Sequence, residues 1–333
     1  SIFETILKSH SYAQEVYSFF ENTMYNLLIV QYPEPDGIII CLVSSTLYFF
    51  DSYGNLTYTN SNLFNGLNYQ GSTLNLLAYK KENGYYHYII TFISNDFTSL
   101  NIFHYKTNTL ENELICRKSF VPFYLDFPKV NFKSTFISCQ IMNSAQKGKV
   151  LTCCFQGGNY ELMIIQSFII EKNLEEIGED TYARIESPEA KHIHSLASSD
   201  GKRLLACYYQ HRNAKGYCLI YNIDSNEIIS NEPLIQNCQD SHSRNNLFYI
   251  NKTNEYAFIC AQDNQFTIML MNDNFEIINA DHYSSYNYYV SSYFNSFNLI
   301  YDSNNNKYAF IIDMSNDNYK AKKINVSTDF SNR

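Results

Sequence analysis

Ser195-Leu196-Ala197-Ser198-Ser199-Asp200-Gly201-Lys202-Arg203-Leu204-Leu205-Ala206-Cys207-Tyr208-Tyr209 is the stretch whose reading decides the fold. It reads as a short strand, a tight Asp200-Gly201 turn and a second strand that is apolar throughout. Asp-Gly accepts the positive φ that a two-residue hairpin needs, and the twist of such a turn suits the flanking strands. A continuously apolar strand is one buried on both faces.

The pattern recurs. Aligned by their fourth residues, the apolar strands are Ile38–Cys41, Tyr88–Thr91, Val150–Cys153, Leu204–Cys207, Ala257–Cys260 and Ala309–Ile312. Before each lies a turn pair: Asp36-Gly37, Asn83-Gly84, Lys147-Gly148, Asp200-Gly201, Thr253-Asn254 and Asn305-Asn306. The steps between rows are 50, 62, 54, 53 and 52 residues. Third strands follow at Thr46–Phe50, Ser99–Tyr105, Glu161–Ile165, Tyr217–Ile223 and Phe266–Met271. After a polar turn come fourth strands at Leu56–Thr59, Glu113–Arg117, Glu227–Ser230 and Phe275–Asn279. A period near fifty with four antiparallel strands per unit predicts an all-β, six-bladed β-propeller.

The stretch Ser198-Ser199-Asp200-Gly201-Lys202-Arg203-Leu204-Leu205 resembles the S-P-D-G-K-R-L hairpin of WD40-like and TolB-like propeller repeats, with Ser199 in place of the proline. One row shows it well and the others share pattern rather than letters. With no Trp in the chain, the Trp-Asp dipeptide of the WD40 family proper is absent. The resemblance implies the fold and carries no activity with it.

A single propeller domain over residues 1–333 is the expected organisation, with blades at about 22–60, 72–119, 133–178, 190–235, 245–281 and 291–328. Residues 1–10, Ser1–Lys8 above all, are expected to form a strand that completes the last blade and shuts the ring, removing exposed edges. A short amphipathic helix at Tyr12–Phe20 is the alternative for the adjoining segment. Phe120–Phe132, aromatic and interrupted by Pro122 and Pro128, reads as a loop packed on one end or as a partner-binding loop. The tyrosines of Tyr283–Tyr293 admit the same two readings. The acidic run Glu171, Glu175, Glu176, Glu179 and Asp180 reads as a solvated connection.

Composition narrows the function classes. The 24 Lys and Arg against 33 Asp and Glu, a net charge of −9, exclude the clustered basic surface that nucleic acid requires. The nearest basic run, Lys320–Lys323, is broken by Ala321. No apolar run approaches the length of a membrane span. A chain beginning at Ser1 without Met is expected to be a processed or trimmed product.

Nine cysteines, at 41, 116, 139, 153, 154, 207, 218, 238 and 260, admit two readings. Cys41, Cys153, Cys207 and Cys260 occupy one repeated core position, where a thiol serves as a small hydrophobe. Counting across hairpins instead puts Cys207 opposite Cys218 and Cys139 opposite Cys153, close enough to bridge, which points to an oxidising compartment. Sequons at Asn55, Asn251 and Asn325 offer glycan sites, the first two on expected hairpin turns.

Chemistry-bearing patterns are few. His192 and His194 fall two apart on an expected strand and share a face, without an evident third ligand. No Cys-x-x-Cys, His-Glu-x-x-His or Gly-x-Ser-x-Gly spacing occurs, and Gly157-Gly158 reads as a hairpin turn. The Asp-rich turns Asp302–Asn306 and Asn316–Asn318 lack the oxygens of a calcium loop. The expectation is a non-catalytic propeller without cofactor or metal, at a cell surface or outside the cell, binding a protein or assembling with its own copies. One alternative is an intracellular WD40-like scaffold with reduced cysteines. Another is a propeller hydrolase or lyase with Asp96, His104, Asp126, His194 and Asp263 converging on a central channel.

Overall fold

The computed structural model describes residues 27–326, apart from 33–36, 44, 52–54, 62, 65–73, 97, 109, 121–131, 158–161, 171–176, 186–189, 211–214, 237–246, 251–253, 263–264, 285–293, 303–306 and 315–321. Every described regular element is a β-strand, and the strands form six successive antiparallel sheets. The first is β1 (Leu27–Gln31), β2 (Ile39–Val43), β3 (Thr46–Phe50) and β4 (Leu56–Asn60). The second is β5 (Asn75–Glu82), β6 (Tyr85–Ile93), β7 (Leu100–Thr107) and β8 (Asn112–Phe120). The third is β9 (Phe132–Ser144), β10 (Gly148–Gly157), β11 (Leu162–Ile170) and β12 (Ile177–Ile185). The fourth is β13 (Ala190–Ala197), β14 (Arg203–Gln210), β15 (Lys215–Asn222) and β16 (Glu227–Gln236). The fifth is β17 (Leu247–Ile250), β18 (Glu255–Gln262), β19 (Gln265–Met271) and β20 (Ile277–Ser284). The sixth has three described strands, β21 (Phe294–Asp302), β22 (Lys307–Met314) and β23 (Lys322–Val326).

The apolar second strand explains how these sheets stack. Side chains alternate across a strand, so one strand feeds two faces. Leu204, Ala206 and Tyr208 of β14 join a core shared with Val150 and Ile165 of the third sheet. Leu205, Cys207 and Tyr209 of the same strand join a core shared with Phe258 and Met269 of the fifth. The same division recurs on β6, where Tyr88, Ile90 and Phe92 meet the first sheet and Ile89 and Ile93 meet the third. Each core therefore lies between consecutive sheets, face to face. The first strands follow one another through contact, β1 on β5, β5 on β9, β9 on β13 and β13 on β17. Consecutive sheets thus pack face to face with their first strands adjacent. That is the arrangement of a β-propeller.

The turns show both the strength and the limit of the local reading. Asn83 and Gly84, at φ +51° and +81°, join the paired residues Glu82 and Tyr85 as the expected two-residue turn. Asp200-Gly201 does not. Ser198 N donates to Arg203 O and Gly201 N donates to Ser198 O, each at 2.8 Å, so four residues lie between the paired Ser198 and Arg203. The Asp200 carboxylate fills the wider loop, accepting from Ser198 Oγ at 2.5 Å and Lys202 N at 2.9 Å. Gly201 keeps the positive φ, +71°.

All five described fourth strands carry a β-bulge. The pairing skips Thr57 on β4, Ile115 on β8, Asp180 on β12, Ile229 on β16 and Ile278 on β20, with Leu234 skipped as well on β16. An extra residue bends an edge strand and spoils its outer ladder. It also turns side chains outward: Ile229 is 58% exposed and Ile278 52%.

Several boundaries move. The third sheet reaches Ile185, because Glu179 and Asp180 belong to its fourth strand rather than to a solvated connection. Alternation over Ile177–Ile185 is too polar to announce a strand, and pairing with β11 provides it. Phe120 ends β8 and Phe132 begins β9; the rest of that aromatic segment lies outside the described residues. So do Ser1–Lys8, Tyr12–Phe20, most of Tyr283–Tyr293, Asn316–Asn318, and Glu171, Glu175 and Glu176.

Candidate functional site

Antiparallel order puts the turn between first and second strands at the same end of a sheet as the turn between third and fourth. At that end the described turns of consecutive sheets are bonded to each other. Asp224, after β15, accepts from Ser144 Oγ at 2.9 Å and Ala145 N at 2.8 Å in the turn after β9. Asn143 N donates to Gly201 O at 2.9 Å, and Asn143 Nδ2 to Asp200 O at 3.3 Å, joining the third sheet to the fourth. Ser199 Oγ donates to both oxygens of Asp273, at 3.1 and 3.0 Å, joining the fourth to the fifth. Arg203 reinforces that joint: one guanidinium nitrogen donates to Asp273 O at 3.0 Å, another to Asn274 Oδ1 at 3.4 Å, and the group lies 5.4 Å from the Phe275 ring centre. Tyr256 OH donates to Ala197 O at 3.1 Å beneath it.

These turns hold themselves through side chains that imitate backbone. Asp51 accepts from Asn55 N, Asn108 from Leu110 N and Glu111 N, Asn222 from Asp224 N and Ser225 N, and Asn272 from Asn274 N and Glu276 N. Three sheets thus repeat one Asx turn between third and fourth strands, at Asn108, Asn222 and Asn272, and Asp51 spans the corresponding loop of the first sheet. Bonds from Ser198 Oγ and Lys202 N hold the Asp200 carboxyl below its usual range. The result is a polar contour whose side chains are engaged in hydrogen bonds within and between turns.

First strands of consecutive sheets are also joined by side chains. Asn75 Nδ2 donates to Ile137 O at 2.8 Å while its Oδ1 accepts from Cys139 N at 3.2 Å. Gln140 Nε2 donates to Ser195 O at 2.8 Å, and Ser195 N donates to Ser138 Oγ at 2.8 Å.

Cys139–Cys153 and Cys207–Cys218 are disulfide-bonded, each with Cα atoms 4.0 Å apart and directly opposite in register. That spacing is the narrow pair of an antiparallel ladder. Cys153 and Cys207 are therefore cross-links rather than fillers, whereas Cys41 is a buried thiol that burial pushes up to about 12. Side-chain facts for Cys260, and Cys238 altogether, lie outside the described residues.

Of the residues expected around a channel, the three that are described lie on different elements. Asp96 sits in the turn after β6, where Ser94 and Thr98 hydrogen-bond its carboxylate and hold it below its usual range. His104 is buried on β7, a third strand, and His194 lies on β13, a first strand. Asp126 and Asp263 lie outside the described residues. Pairing on β13 jumps from Lys191–Tyr209 to His194–Cys207, so a bulge interrupts the alternation that put His192 and His194 on one face. Among the described residues no group of three His, Cys, Asp or Glu is arranged to hold a metal. No described helix is long and apolar enough to cross a membrane.

Asn55 is exposed at the turn into β4, with Nδ2 donating to Asp51 Oδ2 at 2.9 Å. Asn325 lies on β23, and Asn251 lies outside the described residues. Two signals went unread in the sequence. Glu113-Leu114-Ile115, Glu227-Ile228-Ile229 and Glu276-Ile277-Ile278 are a repeated triplet opening fourth strands, with its final Ile the bulged residue. The Asx residues Asp51, Asn108, Asn222 and Asn272 recur with the same period.

No protein-family model matches the chain, and no curated protein matches it. Among solved structures, the chain is similar to the Dos1 propeller, with a TM-score of 0.49, 8% identity, and coverage of 87% of this chain and 68% of that one. It is similar to the WD40 domain of SCAP from fission yeast, at TM-score 0.45 and 9% identity over 91% and 77% of the two chains. A functionally unknown protein from Desulfotomaculum acetoxidans DSM 771 aligns at TM-score 0.46 and 10% identity over 84% and 76%.

Proposed function

We propose that the chain is a six-bladed propeller, shut by its N-terminal segment, that serves as a non-catalytic binding scaffold outside the cell or at its surface. The observation that carries this is the pair of buried disulfides in adjacent sheets. Structural disulfides persist where the environment is oxidising and are rare in the cytosol. The interlocked turns of the third, fourth and fifth sheets support a preformed face, because contacts made within the free protein lower the ordering cost of binding. The bulged rim favours that end face over edge-to-edge assembly as the route to a partner. A protein partner suits this contour, and Asn55 is open to a glycan at its margin.

Non-reducing peptide mapping of protein taken from its native source tests the reading. The expected result is two linked peptide pairs, Cys139 with Cys153 and Cys207 with Cys218, and a modified Asn55. Alkylation of all four cysteines without reductant would sink the extracellular reading and favour the intracellular scaffold. Light scattering on the same sample should give a single-chain mass at micromolar concentration.

A further inference from the structure

His87 on β6 and His104 on β7 are held ring to ring inside the second sheet. His87 Nδ1 and His104 Nε2 are 2.9 Å apart, with ring centres 5.1 Å and planes 23° apart. One proton joins the two nitrogens, and a proton on both destroys the bond. His104 is 0% exposed, and its Nδ1 has no hydrogen-bond partner among the described residues. An imidazolium there would be a buried cation without an acceptor.

The surroundings are hostile to positive charge. Lys80 and Lys106 act on both rings, and Glu82 acts on His87. That carboxylate is bonded to Lys80 at 2.5 Å, and Glu113 is bonded to Lys106 at 2.9 Å. The Tyr79 ring stands edge-on to His104 at 6.2 Å, with Lys149 of β10 5.0 Å from its centre on the side of the third sheet. Cys116 of β8 is the residue opposite His104. Burial, then the charges of His87, Lys80 and Lys106, holds His104 down at about 3, and burial also lowers His87. Tyr32 OH, from the loop after β1, donates to His87 O, so the pair underlies the joint between first and second sheets.

We propose that the His87–His104 pair is an acid-sensitive latch: neutral, it locks β6 to β7 beneath the Tyr32 joint, and when the hairpin opens to water the proton taken up by His104 holds it open. The sign follows from linkage. The opened imidazole titrates near 6.5 and the closed one near 3, so the latch is fully effective above about pH 6.5 and weakens as pH falls toward 3. Between pH 7 and pH 5 the open-to-closed ratio rises about 25-fold for His104 alone.

Hydrogen exchange of peptides covering β6 and β7, corrected for intrinsic rates, compares the wild type with His104→Gln at pH 7 and pH 5. Gln keeps a partner for His87 and cannot titrate. The wild-type opening equilibrium should rise at least about 25-fold, and that of the variant, in which His87 alone titrates, by a clearly smaller factor. Equal rises in both, or none in the wild type, would overturn the latch. Should His104→Gln fail to fold, imidazole nitrogen shifts of the wild type decide: His104 is expected to stay neutral to pH 5, and titration near 6.5 would refute it.

Discussion

Gly201→Ala offers the sharpest test of how the sheets are joined. At φ +71° an alanine adopts the left-handed region, a strain of about 1–2 kcal/mol. Its Cβ would also stand 2.5 Å from Asn143 Nδ2, 3.0 Å from Asn143 Cγ and 3.2 Å from Asn143 Cβ. The Asn143 side chain must swing away and surrender its bond to Asp200 O, about 0.5–1.5 kcal/mol. Together the substitution should cost about 1.5–3.5 kcal/mol. Gly84→Ala is the control, because Gly84 has φ +81° and nothing within 4 Å of the added carbon. It should cost only the backbone strain. Urea midpoints of the two variants, at unchanged slope, give the difference directly. In Asn143→Ala the obstructing amide and its bond are gone and only Cβ, at 3.2 Å, remains, so adding Gly201→Ala to it should cost about 1 kcal/mol less than in the wild type. If Gly201→Ala is no worse than Gly84→Ala, or the double variant is simply additive, the bond between third and fourth sheets carries no weight.

Two further outcomes follow from the cross-links and the rim. Replacing Cys207 and Cys218 together by alanine opens a loop of sequence separation 11 and should cost about 2.8 kcal/mol from chain entropy, with about 3 for the Cys139 and Cys153 pair at separation 14, read as shifts in urea midpoint. Ile229→Lys and Ile278→Lys, on the outward bulges, should change stability by less than about 0.5 kcal/mol and leave the protein monomeric by light scattering, whereas Leu205→Ala, 1% exposed between two sheets, should cost about 2–5 kcal/mol.

The sheets were legible in the sequence because burial on both faces leaves a mark that one chain displays alone. A run such as Leu204-Leu205-Ala206-Cys207 has no other use in an antiparallel repeat. The disulfide partners were within reach for the same reason, since hairpin pairing is local and its register can be counted from the loop. What stayed hidden depends on the neighbouring sheet. Gln140 and Ser195 look like ordinary polar residues on exposed strand faces until the first strands of two sheets meet. The four-residue loop at Asp200 was hidden by a side chain doing backbone work, and the His87–His104 pair by a register between strands 17 residues apart. Bulges escaped because pairing must be known before an extra residue can be recognised.

The position of the cross-links follows from the same geometry. A first strand can form ladder bonds only to the second strand of its own sheet, so its other edge relies on side chains such as Asn75 and Ser195. Those joints are polar. Cys139–Cys153 ties the first strand of the third sheet to its apolar second strand, and Thr91 Oγ1 donates to Cys139 Sγ at 3.3 Å from the second sheet. Cys207–Cys218 ties second to third strand one sheet further on. Between them, Val150 and Cys154 share a core with Leu204, Ala206 and Tyr208. The covalent bonds therefore flank the interface between the third and fourth sheets, and separating those two would leave both sheets stapled internally.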